Sequence, residues 1–240
     1  MAFAPNGLAV VSGGEDKVVR VWESATAAVL YTLSVPNMTE VNSVAVAPAG
    51  ATVASGSSDG AVRLWNVGGG ALLSTLPGAA SPIGSVAFSP DSRRLAAGLE
   101  NGTILVWTLP DGHSRTYKRD GEESVRGVAF SPDSATLAAA WDGGAVDLWS
   151  MADDTHRQFP AGAQPTSLAF SPDGQLLVVG LGDGADAGHV RLWRVADGVL
   201  LRDIDAHRGA VAAVAFSADG TLIATGGMDG AVLVWGVVGN

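Results

Sequence analysis

The sequence predicts an all-β chain built as an array of four-stranded antiparallel modules, and three observations predict it. One phrase of seven residues recurs six times, a tryptophan follows each copy at a near-constant distance, and apolar residues inside each copy alternate with a period of two. The copies are Met1 to Gly7, Val44 to Gly50, Val86 to Ser92, Val128 to Ser134, Leu168 to Gly174 and Val214 to Gly220, of which Val86-Ala87-Phe88-Ser89-Pro90-Asp91-Ser92 is typical. Their tryptophans, Trp22, Trp65, Trp107, Trp149, Trp193 and Trp235, stand 42 to 44 residues apart. A period in the low forties marks a propeller or solenoid array. From the turn proline (Ala218 in the sixth copy) to the tryptophan is 17 residues in five copies and 21 in the fifth, so that copy alone carries an internal insertion.

Within one copy, Val86-x-Phe88 is a first strand, Leu95-Ala-Ala-Gly98 a second and Ile104-x-Val106-Trp107 a third. Between the first two lies Ser-Pro-Asp-Ser or Ser-Pro-Asp-Gly, in which proline presets φ and aspartate can bond the local backbone. Between the second and third lies Asp59-Gly60, Asn101-Gly102 or Asp229-Gly230, dipeptides suited to the positive φ of a tight hairpin. A less regular fourth strand fits between each tryptophan and the next copy, as in Ala71 to Leu76 and Val199 to Ile204. Four antiparallel strands at this period make a propeller blade, which predicts a single domain over 1–240 with blades at about 1–35, 42–77, 84–119, 125–160, 166–205 and 211–240.

The phrase and its tryptophan resemble those of the WD40 family, and the resemblance covers essentially all 240 residues. It implies an all-β WD40-like β-propeller whose blades run strands a to d outward from an axis. Two family hallmarks are weak: none of the six repeat tryptophans is followed by Asp, and before the first strand of a copy the Gly-His pair survives only as Ala206-His207. The family's buried tetrad of His, Ser or Thr, Asp and Trp is complete in the sixth copy alone, as His207, Thr225, Asp229 and Trp235. The first two copies keep Ser12, Asp16, Trp22 and Ser55, Asp59, Trp65; the third has Ala97 and Asn101, and the fourth Ala139 and Gly143. Met1 stands in the Val or Leu slot of the phrase, and only five residues follow Trp235. The last blade is therefore expected to have three strands, in a ring that closes imperfectly or stays open. Its unpaired edge is an expected site of self-association.

Composition narrows function. The formal charge of −10 argues against a phosphate-backbone binder, and without cysteine there is no disulfide, thiolate nucleophile or cysteine-ligated zinc. No run of apolar residues is long enough to span a bilayer and no signal peptide is visible, so cytoplasm is the default compartment. His113, His156, His189 and His207 do not recur at one blade position, and the acidic stretch Gly182 to Gly188 lacks the ligand spacing of a calcium loop. No phosphate loop or nucleophile elbow is present. No catalytic residue, metal ligand or cofactor is expected.

Partner binding is read instead from Trp141, the one tryptophan off the repeat, which is either an exposed hot spot on the rim or a filler for the gap beside Ala138 to Ala140. Arg126, the charged connection with Arg115, Lys118, Arg119, Asp120, Glu122 and Glu123, and Arg208 complete the candidate surface. The leading expectation is a non-enzymatic scaffold for a protein partner or another domain. The alternatives are a sensor propeller cut from a larger signalling protein, and a lactonase-like hydrolase. The hydrolase would need metal ligands around the axis, where Asn42, Gly84, Arg126, Thr166 and Ala212 are a poor set.

Overall fold

The computed structural model describes residues 1–119, 123–162, 164–182 and 187–237, and every regular element among them is a strand. The repeated phrase makes the first reversal of each module. In Ser89 to Ser92 the Ser92 N–H donates to the Ser89 carbonyl at 2.8 Å. Asp91 Oδ1 accepts from the Ser89 hydroxyl at 2.5 Å and from the Arg93 N–H at 2.9 Å. The chain then leaves the turn through a left-handed residue, with φ 58° at Ser92, 60° at Ser134, 71° at Gly174 and 73° at Gly220. A type I turn followed by such a left-handed residue is one of the common connections that let the outgoing strand pair back on the incoming one.

The described chain divides into two compact units, Met1–Val128 and Ala129–Asn240. The first holds three sheets in sequential order. They are β1 (Ala2–Phe3), β2 (Ala9–Gly13), β3 (Val19–Glu23) and β4 (Val29–Leu33); then β5 (Val41–Val46), β6 (Thr52–Ser57), β7 (Val62–Asn66) and β8 (Leu72–Leu76); then β9 (Ile83–Phe88), β10 (Arg94–Leu99), β11 (Thr103–Thr108) and β12 (Ser114–Lys118). At β13 (Val125–Phe130) the first unit gives way to the second, and a sheet follows in the order β13, β14 (Thr136–Trp141), β15 (Ala145–Ser150), β16 (His156–Pro160). Next come β17 (Pro165–Phe170), β18 (Leu176–Leu181), β19 (Gly188–Arg194) and β20 (Val199–His207), and last the three-stranded sheet β21 (Val211–Phe216), β22 (Leu222–Gly227), β23 (Val232–Gly236). Five blades of four strands and one of three are what the spacing predicts. The fifth blade's outer strand differs in length: β20 runs on to His207, which pairs with Gly188 at the start of β19.

Blades pack through glycines. A Cβ on Gly13, Gly56 or Gly98 would come within 2.4 Å of a methyl group of Val41, Ile83 or Val125, the first residue of the next inner strand, and Gly180 meets Val211 in the second unit in the same way. The missing side chain is a socket for a β-branched knob. Around each socket an apolar cluster forms, for example Val11, Val19, Val21, Val44, Val53 and Trp65 between the first two blades.

One further device positions side chains. Val41 pairs with Ser57 and Ser43 with Gly56, so Asn42 falls out of the ladder as a bulge. Gly84, Thr166 and Ala212 are skipped in the same way. Bulged residues are re-aimed away from the sheet.

A polar depression at the bulged inner strands of the first unit

In the first unit the bulged positions line a depression of about 280 Å³, bounded by Asn42, Ser58, Gly84, Glu100, Ser124, Val125 and Arg126. Its walls are fixed by local bonds. Asn42 Nδ2 donates to Ser58 Oγ at 3.1 Å and to the Ile83 carbonyl at 2.9 Å, and the Ser124 hydroxyl donates to the Glu100 carbonyl at 2.8 Å. Gly84 leaves the next inner strand open at the point where Asn42 closes it, since a Cβ there would stand 3.0 Å from the Val125 carbonyl. Arg126 is exposed at the mouth and Glu100 supplies the opposite charge. The volume is below the roughly 300–1,000 Å³ usual for small-molecule sites. Among the described residues no group of three His, Asp or Glu side chains is arranged to hold a metal ion.

The remaining candidates are dispersed. Arg115 and Lys118 are exposed on the outer strand β12, and Arg119 pairs with Glu123 at 3.0 Å. Asp120 and Glu122, like the centre of the acidic insertion at 183–186, lie outside the described residues. Arg208 is exposed beside the tetrad, where its N–H donates to Asp229 at 3.0 Å. Of the six proposed contact residues only Arg126 lines the depression.

Trp141 requires a correction as a hot spot. It is 1 % exposed at the end of β14, in the slot filled by Leu99 and Leu181 in neighbouring copies, both equally buried. The small Ala138, Ala139 and Ala140 leave the volume that its indole fills, at the expense of an indole N–H without a hydrogen-bond partner among the described residues. His189 is the second residue of β19, because the strand begins at Gly188, and its Nδ1 lies 3.1 Å from Asp203. Asp203 is held by Arg191 at 2.8 Å, and that hydrogen bond lowers its carboxyl below the ordinary range.

The sixth blade brings His207, Thr225, Asp229 and Trp235 together. Trp235 Nε1 donates to Thr225 Oγ1 at 3.1 Å, His207 Nε2 lies 2.8 Å from that oxygen, and His207 Nδ1 lies 3.1 Å from Asp229. One proton arrangement satisfies all four: Nδ1–H donates to the carboxylate and Thr225 donates to Nε2. Gly227 makes room, since a Cβ there would come 2.3 Å from His207 Nδ1. The other tryptophans improvise. Trp22 and Trp65 donate to Ser12 and Ser55 at 2.8 and 2.9 Å, while Trp107, facing Ala97, donates to the Pro77 carbonyl at 3.1 Å. That last acceptor comes from the preceding blade, which a reading copy by copy misses.

The family signature described as WD domain, G-beta repeat matches residues 1–23, 28–66, 70–108, 112–149, 156–194 and 198–236. The chain belongs to the WD40 family. Among curated WD40-region matches, Pre-rRNA-processing protein IPI3 of Mycosarcoma maydis is 38% identical over 72 residues, which is 30% of this chain and 12% of that protein. Periodic tryptophan protein 2 homolog of Schizosaccharomyces pombe is 30% identical over 78 residues, 32% of this chain and 9% of that protein. Transducin beta-like protein 3 of Mus musculus is 42% identical over 74 residues, 30% of this chain and 9% of that protein. The chain therefore matches about a tenth of the length of these relatives. No helix in the described WD40 chain is long and apolar enough to cross a membrane.

Proposed function

We propose that this WD40 chain is a non-enzymatic interaction scaffold that takes a protein segment at the depression of its first unit, with Arg126 as the charged anchor. The observation that carries the reading is the bulge at the inner strands. It aims Asn42 out of the ladder into the depression that Arg126 also lines, on a sheet where a partner's polar side chain can be met without reordering the backbone. Arginine at the centre of a contact is a common source of binding energy, and Glu100 beside it favours a segment that presents both a donor and an acceptor. Membership of the family supports a binding role but does not fix the partner, because function resides in the site and not the fold. A sensor module differs only in that the bound segment would belong to the same polypeptide.

A peptide library displayed on phage and selected on the purified chain tests the proposal. Selected peptides should lose about tenfold or more in affinity on Arg126→Ala and on Ser58→Trp, which fills the depression, while both variants melt with the parent. Peptides indifferent to both substitutions, or failure to select any above background, would overturn the assignment of this site.

A further inference from the structure

The bulged inner-strand positions hold an internal template for what the depression of the first unit receives. In the second blade Asn42 Nδ2 donates to the Ile83 carbonyl at 2.9 Å and to Ser58 Oγ at 3.1 Å. In the fifth blade the Thr166 hydroxyl is directed at the Gly180 carbonyl, 3.0 Å away, and at the Val211 carbonyl. Ile83 opens β9 and Val211 opens β21. Each bulged side chain therefore offers a proton to the first carbonyl of the next inner strand.

The third blade keeps the acceptors and lacks the donor. Gly84 is its bulged residue, and a Cβ built there would stand 3.0 Å from the Val125 carbonyl and 3.8 Å from the Gly98 carbonyl, the counterparts of Val211 and Gly180. Glu100 stands where Ser58 does, since each follows the second strand of its blade and donates its N–H at 3.0 Å to the chain just before the inner strand, Glu100 to Pro82 and Ser58 to Glu40. A carbonyl oxygen has two lone pairs, so it takes a side-chain donor in addition to any ladder bond. We propose that the primary carboxamide of a partner's glutamine or asparagine fills this slot. Its NH₂ does for Val125 and Glu100 what Asn42 does for Ile83 and Ser58. Its oxygen accepts from Arg126, which lines the same depression and carries five N–H donors. Glu100 and Arg126 offset each other in charge, so a neutral group with both a donor and an acceptor suits the site better than an ammonium or a carboxylate, either of which leaves a like charge beside it. This inference rests on the scaffold reading and names the chemistry that its site selects.

Phage-displayed peptide libraries with the central residue fixed as Gln, Asn, Lys, Glu or Leu and random flanks, selected on the purified full chain, test it. Peptides whose binding depends on Arg126, scored with Arg126→Ala, should come chiefly from the Gln and Asn libraries. Gly84→Asn, which fills the slot from within, and Glu100→Ala, which removes an acceptor, should each weaken those peptides by about tenfold. Glu100 is exposed, so its variant keeps the test decisive should Gly84→Asn lower the melting temperature. Arg126-dependent peptides drawn equally from all the libraries, or chiefly from the Lys, Glu or Leu ones, overturn the carboxamide assignment while the scaffold site stands. Carboxamide peptides left unmoved by Glu100→Ala or by a folded Gly84→Asn do the same. Selection that yields no Arg126-dependent peptide overturns both.

Discussion

Trp141 and Trp107 are both buried, yet they arrive in the core by different routes. Trp107 occupies the repeat position and finds an acceptor in the preceding blade, whereas Trp141 replaces a leucine-sized residue and fills space left by alanines. Truncating either to alanine should cost about 3–5 kcal/mol through lost burial and the cavity left behind. Thermal melts of the two variants check this. A Trp141→Ala protein that melts with the parent would return that residue to the surface. Aligning the copies by register would have shown the answer, because position 141 corresponds to 99 and 181, where leucine stands.

At the scale of the element, the Ser-Pro-Asp turn is the unit from which the blades are made, and it is electrostatically tuned. In Asp133, Asp173 and Asp219 the serine hydroxyl two residues back is the largest influence, followed by a backbone N–H two residues on. Both favour the carboxylate, and Asp219 falls from its ordinary 3.8 to about 2. A carboxyl whose pKa is depressed in the folded state contributes stability that is present above its unfolded value and lost as pH falls through the folded one. Melting temperature should therefore hold above about pH 4 and decline between there and about pH 2. Ser217→Ala should raise the Asp219 midpoint toward 3.8 in a carboxyl NMR titration, and an unchanged midpoint would remove the serine from the account. This element was fully legible in the sequence, since every interaction in it spans five residues or fewer. The bulges were not, because they depend on which residue of a neighbouring strand is skipped.

At the scale of the molecule, 24 acidic residues against 14 basic ones leave a formal charge of −10. Binding to a nucleic-acid backbone gains its affinity from basic side chains that displace counterions. The chain should therefore leave a random-sequence DNA duplex unshifted in a gel at about 0.15 M salt, with neither a retarded band nor a salt-dependent one. A shift that weakens as salt is added would show a basic surface that net charge conceals. Arg115, Lys118 and Arg119 are the group to substitute first in that case.

The sequence by itself determined the six modules, their strands and their turns, because each rests on short-range spacing repeated often enough to be recognised, while the tetrad of the sixth blade was implied by its resemblance to the WD40 family. It also placed Asn42, Gly84 and Arg126 at one blade position. Tertiary structure alone decided that these three line one depression, that Arg115, Lys118 and Arg119 do not join it, and that Trp141 is inside. It alone showed that Gly13, Gly56, Gly98 and Gly180 are sockets filled by the next inner strand, since a glycine reads identically in the sequence whether or not a methyl group faces it.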